Sequence, residues 1–142
     1  MAKATLSKPD PVVDCLKAID AAWRKSDTAC DREPERRAAD REIEAREMLL
    51  GCIQPTSDPG ILGAVTVARA MVDWRHVLDS DGSPTYSLEC LVQRGKIAED
   101  VLFQVMRALV ARGVSLPCGA NTYLTPAEKR DLAIAAKAGG LA

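Results

Sequence analysis

Apolar residues recur along this chain every three or four positions, the spacing that gathers side chains on one side of an α-helix. Val12, Val13, Leu16, Ile19 and Trp23 form one such face, with Lys17, Asp20, Arg24 and Asp27 largely opposite. Asp10 and Pro11 stand just before it. Aspartate can accept an orphan backbone N–H at a helix start, and proline suits the first helical position because its missing N–H would find no partner there. The pattern predicts a helix from this pair to about Cys30. A second helix is expected across the charged stretch Asp31 to Glu47, capped by Asp31, with Pro34 in its first turn and Gly51 at its end. Glu33 with Arg37 and Glu42 with Arg46 have the favourable i to i+4 order. Its predicted apolar face is Ala38, Ala45, Leu49 and Cys52, joined by Ile43, Met48 and Leu50.

Gln54 to Gly60 reads as a loop, and Asp58-Pro59 repeats the cap-then-proline device at the head of a third helix running to about Leu78. Ile61, Leu62, Ala64, Val65, Val67, Ala68, Met71, Val72 and Trp74 leave that helix only a thin polar stripe through Thr66, Arg69, Asp73 and His76. So wide an arc predicts a central helix covered on more than one side. Asp79 to Pro84 breaks the pattern. With Gly82 at the sixth position of a calcium loop, Val77 falls first and Leu88 twelfth, where carboxylates are required, so a simple turn is the reading.

A fourth helix, capped by Ser83 or Thr85, is expected to reach about Arg112. Leu88, Leu91, Gly95, Ala98, Leu102, Val105 and Leu109 give it a heptad-like seam. Gly95 within that seam fits either a close helix crossing or a break. Gly113 followed by Val114 has the form of a Schellman stop. Val114 to Leu124 is irregular, and Thr125-Pro126-Ala127-Glu128 is a capping box opening a last helix to about Ala138, before Gly139-Gly140. No strand-like alternation persists. The chain reads as a single all-α domain over 1–142, a compact bundle of four to five helices centred on the third and fourth.

Composition narrows the class of function. Among 142 residues only five are aromatic, so the core must be built from Ala, Leu, Val and Ile, which suit close helix packing. The net charge of −1 leaves no uncancelled basic patch for a phosphate backbone, and the arginines of the second helix are interleaved with acids. No apolar run has the length of a membrane span, and the first eleven residues lack the apolar core of a signal peptide. The cytoplasm is the expected compartment. Cys15, Cys30, Cys52, Cys90 and Cys118 are unpaired in spacing and are expected to be small buried hydrophobes rather than reactive thiols.

The motifs of phosphate, dinucleotide, serine-hydrolase and zinc chemistry are absent. The one histidine, His76, has Asp73 a turn away but no wider constellation, so a surface role is expected. No catalytic, cofactor-binding or metal-ligating residue is assigned, and no cofactor is expected. Leu124 to Leu132 (LTPAEKRDL) resembles the opening of the first helix in LuxR-type helix-turn-helix domains, which commonly begin with a similar Leu-Thr-Pro-x-Glu phrase. That resemblance implies a recognition helix to follow. The sequence given stops at Ala142, so nucleic acid is not among the expected partners. What the sequence offers is faces rather than sites: a helical adaptor with a protein partner comes first, a small-ligand-binding regulator second, an enzyme using a cysteine or His76 third. The apolar faces of the third and fourth helices could also join two copies in a homodimer.

Overall fold

The computed structural model describes residues 8–29, 31–72 and 87–140. These form five α-helices, one 3-10 turn and no strand: α1 (Pro11–Ala29), α2 (Glu33–Leu50), α3 (Asp58–Val72), α4 (Leu88–Ala111), the 3-10 turn Ala120–Tyr123, and α5 (Pro126–Gly140). The all-α bundle expected from the periodicity is what the chain forms. Among the described residues no helix is long and apolar enough to cross a membrane. The expected break at Asp79 to Pro84, the rejected calcium loop, Trp74, His76 and Cys30 lie outside the described residues.

Helix α1 begins as its first two residues dictate. The Asp10 carboxylate accepts the Val12 N–H at 2.8 Å, and Pro11 takes the first helical position. Helix α2 starts at Glu33, with Arg32 at the cap position and no side-chain cap, so Asp31 lies one residue too early for the role expected of it. Glu33 and Arg37 pair at 3.0 Å as spaced, whereas Glu42 stands 3.9 Å from Lys25 of α1. Ser57, not Asp58, heads α3. Its carbonyl accepts the Ile61 N–H at 3.0 Å and its hydroxyl the Gly60 N–H at 3.2 Å, which moves Pro59 one place into the first turn. Helix α4 is capped by Ser87, whose hydroxyl accepts the Cys90 N–H at 3.2 Å.

The stop of α4 is the Schellman motif expected. Gly113 sits at φ +89, Val114 N–H donates to the Leu109 carbonyl at 3.1 Å and Gly113 N–H to that of Val110 at 3.0 Å. The capping box of α5 is also complete. Thr125 N–H donates to the Glu128 carboxylate at 2.9 Å, and the Thr125 hydroxyl accepts the Glu128 N–H at 3.2 Å. Helix α5 continues through Gly139 and Gly140, beyond the expected end at Ala138. A Cβ at Gly139 would collide with the Ala111 carbonyl, so only glycine lets α5 approach α4 this closely.

Two helical hairpins, α1–α2 and α3–α4, pack together, and α5 docks on α4. The core is Val12 and Cys15 of α1, Leu50 of α2, Ala64, Ala68 and Met71 of α3, and Ile97, Ala98, Val101 and Val105 of α4. Helix α4 is the centre, packed against α2, α3 and α5, and Val101 at its middle has 0% exposure. Helix α3 is not central in the way expected. It buries one stripe, Gly60, Ala64, Ala68 and Met71, and leaves Leu62 69% and Val72 56% exposed. Small residues decide this: a Cβ at Gly60 would meet the Asp10 carboxylate, so α3 turns its glycine–alanine side inwards and its bulkier side out.

The same logic selects the buried face of α2. Ala39, Ile43 and Leu50 go inside, whereas Ala38, Ala45, Met48, Leu49 and Cys52, most of the predicted face, are exposed. Alanine is the best helix former and little of a burial signal, so two alanines on one side do not specify a core face. In α4 the expected seam is used inside the chain at Ala98 and Val105, with Leu91 and Leu109 partly covered and Leu88 and Leu102 exposed. Gly95 neither breaks the helix nor marks a crossing, since nothing lies within 4 Å of where its Cβ would be.

Candidate functional site

Between the hairpins lies a groove of about 900 Å³ lined by four helices. Its floor is apolar, with Ile43 of α2, Met71 of α3 and Ile97 of α4 buried there, and Ile19 and Val67 beside them. Trp23 stands in the wall with 53% of its surface open. The apolar periodicity of α1 assigned it to the core. It lies one turn beyond Ile19 on the same side, but the core closes at Ala22 and Ser26 instead, where α1 and α2 pack through small residues.

The α2 side of the groove carries Asp40, Glu44 and Glu47 with Arg36 at one end, all within the helical repeat that also places Ile43 inwards. The buried Ser26 hydroxyl donates to the Asp40 carboxylate at 2.7 Å, which fixes that carboxylate at the groove's edge. Burial pushes the Glu47 carboxyl up from its ordinary value; the Arg94 guanidinium opposes this and Glu44 adds to it. Arg94 also donates to the Ala70 carbonyl of α3 at 3.4 Å, and Gln93 of α4 reaches Met48 Sδ at 3.5 Å. Counted along the sequence, these acids are cancelled by the arginines around them. In space Asp40, Glu44 and Glu47 share a side with Ile43, while Arg37 and Arg41 are exposed and do not line the groove. A carboxylate recurring at i, i+4 and i+7 in register with a buried isoleucine was the available signal.

The thiols divide. Cys15 is buried and donates to the Arg46 carbonyl at 3.4 Å; burial pushes its thiol up, against a weaker opposing pull from Arg46, and leaves an unreactive group. Cys90 is half-buried in the groove wall, whereas Cys52 and Cys118 are exposed, contrary to the expectation that the cysteines fill the core. Among the described residues no three His, Cys, Asp or Glu side chains are grouped to hold a metal.

A second polar cluster is structural in character. Asp10, only 6% exposed, accepts hydrogen bonds from Val12 N–H, Thr56 N–H at 3.0 Å, Ser57 N–H at 2.8 Å and the Ser57 hydroxyl at 2.5 Å. Burial alone would raise its carboxyl, but the Ser57 hydroxyl and the three amides outweigh burial and hold it below its ordinary value. One carboxylate thus caps α1 and clasps the start of α3. Three of these donors reach Oδ2 and one reaches Oδ1, all from the chain itself, so the carboxylate serves to hold the two helix starts together. The groove is therefore the candidate site, and its equipment is an apolar floor, an open indole and a row of carboxylates. Compared with known proteins, the chain matches no family, no curated protein and no solved structure.

Proposed function

We propose that this protein is a helical interaction module, an adaptor that takes part of a partner protein into the groove between its hairpins. The observation that carries the reading is Trp23, a large aromatic left half open on the wall of an apolar trough. Tryptophan is the residue type most enriched among the anchors of protein interfaces, because it buries much area with few torsions to freeze. Among the described residues that line the groove there is no grouping of nucleophile, base and orienting residue of the kind an active site needs. We take the cytoplasm as its compartment, in keeping with free thiols at Cys15, Cys52, Cys90 and Cys118. Photo-crosslinking in cells tests the reading, with benzoylphenylalanine placed at position 23 and, on exposed α5, at position 130. A protein crosslinked from position 23 and absent from position 130 is the expected result; no protein adduct at position 23 overturns it.

A second contact is favoured on another face. Asp58, Leu62, Val65, Arg69 and Val72 recur at the heptad spacing along the outer side of α3, and Leu62, Val65 and Val72 are exposed. This stripe supports pairing with a second copy, in which an antiparallel crossing at Val65 would bring Arg69 towards the acidic start of the facing helix. Sedimentation at micromolar concentration should show the mass of two chains, and Leu62→Glu should reduce it to one. A single-chain mass for both proteins refutes the pairing.

A further inference from the structure

We infer that the segment received in the groove is a cationic amphipathic helix of about three turns; this names the partner of the adaptor reading and rests on it. Three features of the groove lead there. The first is charge. Among the described residues, its lining holds four carboxylates, Asp27, Asp40, Glu44 and Glu47, against two guanidinium groups, Arg36 and Arg94. Asp40 and Glu44 lie one turn apart on the α2 rim, where they meet lysine or arginine side chains of an occupant and repel a phosphate backbone or an acidic peptide.

The second is the backbone of the walls. All four are helices, whose N–H and C=O groups are already paired along their own axes. An extended peptide laid over Ile43, Met71 and Ile97 would lose water from its amides and find no strand edge to pair with. A helix satisfies its own backbone and presents only side chains to the trough. The third is length. From Arg36 to Glu47 the α2 wall rises about 16 Å, the length over which an occupant helix can set apolar anchors at i, i+4 and i+7. Trp23 then covers the stem of a flanking lysine or arginine and offers its ring face to the charge. A small organic cation would engage the indole and one carboxylate and leave most of that row unused.

The test uses three fluorescent 18-residue peptides: Leu and Lys with Leu at helical spacing, the same pattern with Glu for Lys, and a scrambled Leu/Lys sequence of identical composition. Anisotropy with the full chain should show the basic amphipathic peptide binding at least tenfold more tightly than either other peptide. Its affinity should fall as salt is raised. Trp23→Ala and Glu44→Lys, both at exposed positions, should each weaken it fivefold or more while melting like the parent. Equal binding of the scrambled peptide, preference for the acidic one, indifference to both substitutions, or displacement by tetrabutylammonium at matching concentration would each overturn the inference. A protein crosslinked at position 23 alongside any of these results would leave the adaptor reading standing and remove only the cationic helix.

Discussion

Replacing Asp10 by alanine is expected to lower the stability of the fold by about 2–4 kcal/mol, the combined effect of losing a helix cap and stranding donors that had a charged acceptor. The Val12, Thr56 and Ser57 amides and the Ser57 hydroxyl all converge on this one carboxylate, and a Cβ at Gly60 would already touch it, so little space exists for water to substitute. Urea unfolding should show a lower midpoint with an unchanged slope. Asp10→Asn keeps one acceptor oxygen and should lie between the two. The pH dependence has a definite sign. The folded carboxyl is held below the ordinary 3.8, so its contribution is fully present above that value and is lost as pH falls through the lower folded one. The stability gap between the parent and Asp10→Asn should therefore stay constant from neutrality to about pH 4 and narrow only below it. A gap that closed already near pH 6 would mean that some other group is responsible.

Val101→Asp should abolish folding, whereas Val72→Asp should leave a folded monomer. Val101 has no exposed surface at the middle of α4, and its neighbours Ala98 and Val105 are buried too, so an aspartate there would lack both water and a partner. Burying a charge unpaired costs several kcal/mol, about the size of a small domain's whole stability. Val72 is 56% exposed at the end of the described part of α3. The width of the apolar arc in α3 predicts the opposite outcome at Val72, since a wide arc implies cover on several sides. Circular dichroism and soluble yield of the two proteins separate the cases. A folded Val101→Asp protein would show that α4 is not the centre of this bundle.

What could be read from the sequence was the local chemistry. Asp10-Pro11, Thr125 to Glu128 and Gly113-Val114 each make a cap from residues within a turn of one another, and each appears in the structure with the expected bonds. Where several polar residues competed for one cap, the choice slipped by a residue or more: Ser57 displaced Asp58, and α2 began without Asp31. Faces were harder. In α2 and α3 the buried side is set by where a neighbouring helix can come close, so the small Gly60, Ala64 and Ala39 go inside, Gly60 against the Asp10 carboxylate from another part of the chain. Hydrophobic size ranks Leu62 above Ala64, yet Ala64 is inside. The groove was the least visible of all. Its lining comes from four helices and includes no motif, and the acids of α2 had to be sorted by direction rather than counted before they formed a row.

The Asp10 clasp also determines how the molecule can deform. Helices α1 and α3 begin side by side at that carboxylate, and the Arg112–Asp58 ion pair holds the end of α4 to the same region. Trp23 and Met71 lie towards the opposite ends of α1 and α3. The hairpins are therefore levers with a common fulcrum, and Trp23 is about 20 Å out along its arm. A rotation of about 5 degrees at the clasp, too small to lengthen its hydrogen bonds appreciably, carries the indole sideways by about 2 Å. An occupant that needs more room is therefore expected to displace Trp23, at the exposed end of its arm, before it disturbs the core cluster of Val12, Leu50 and Met71.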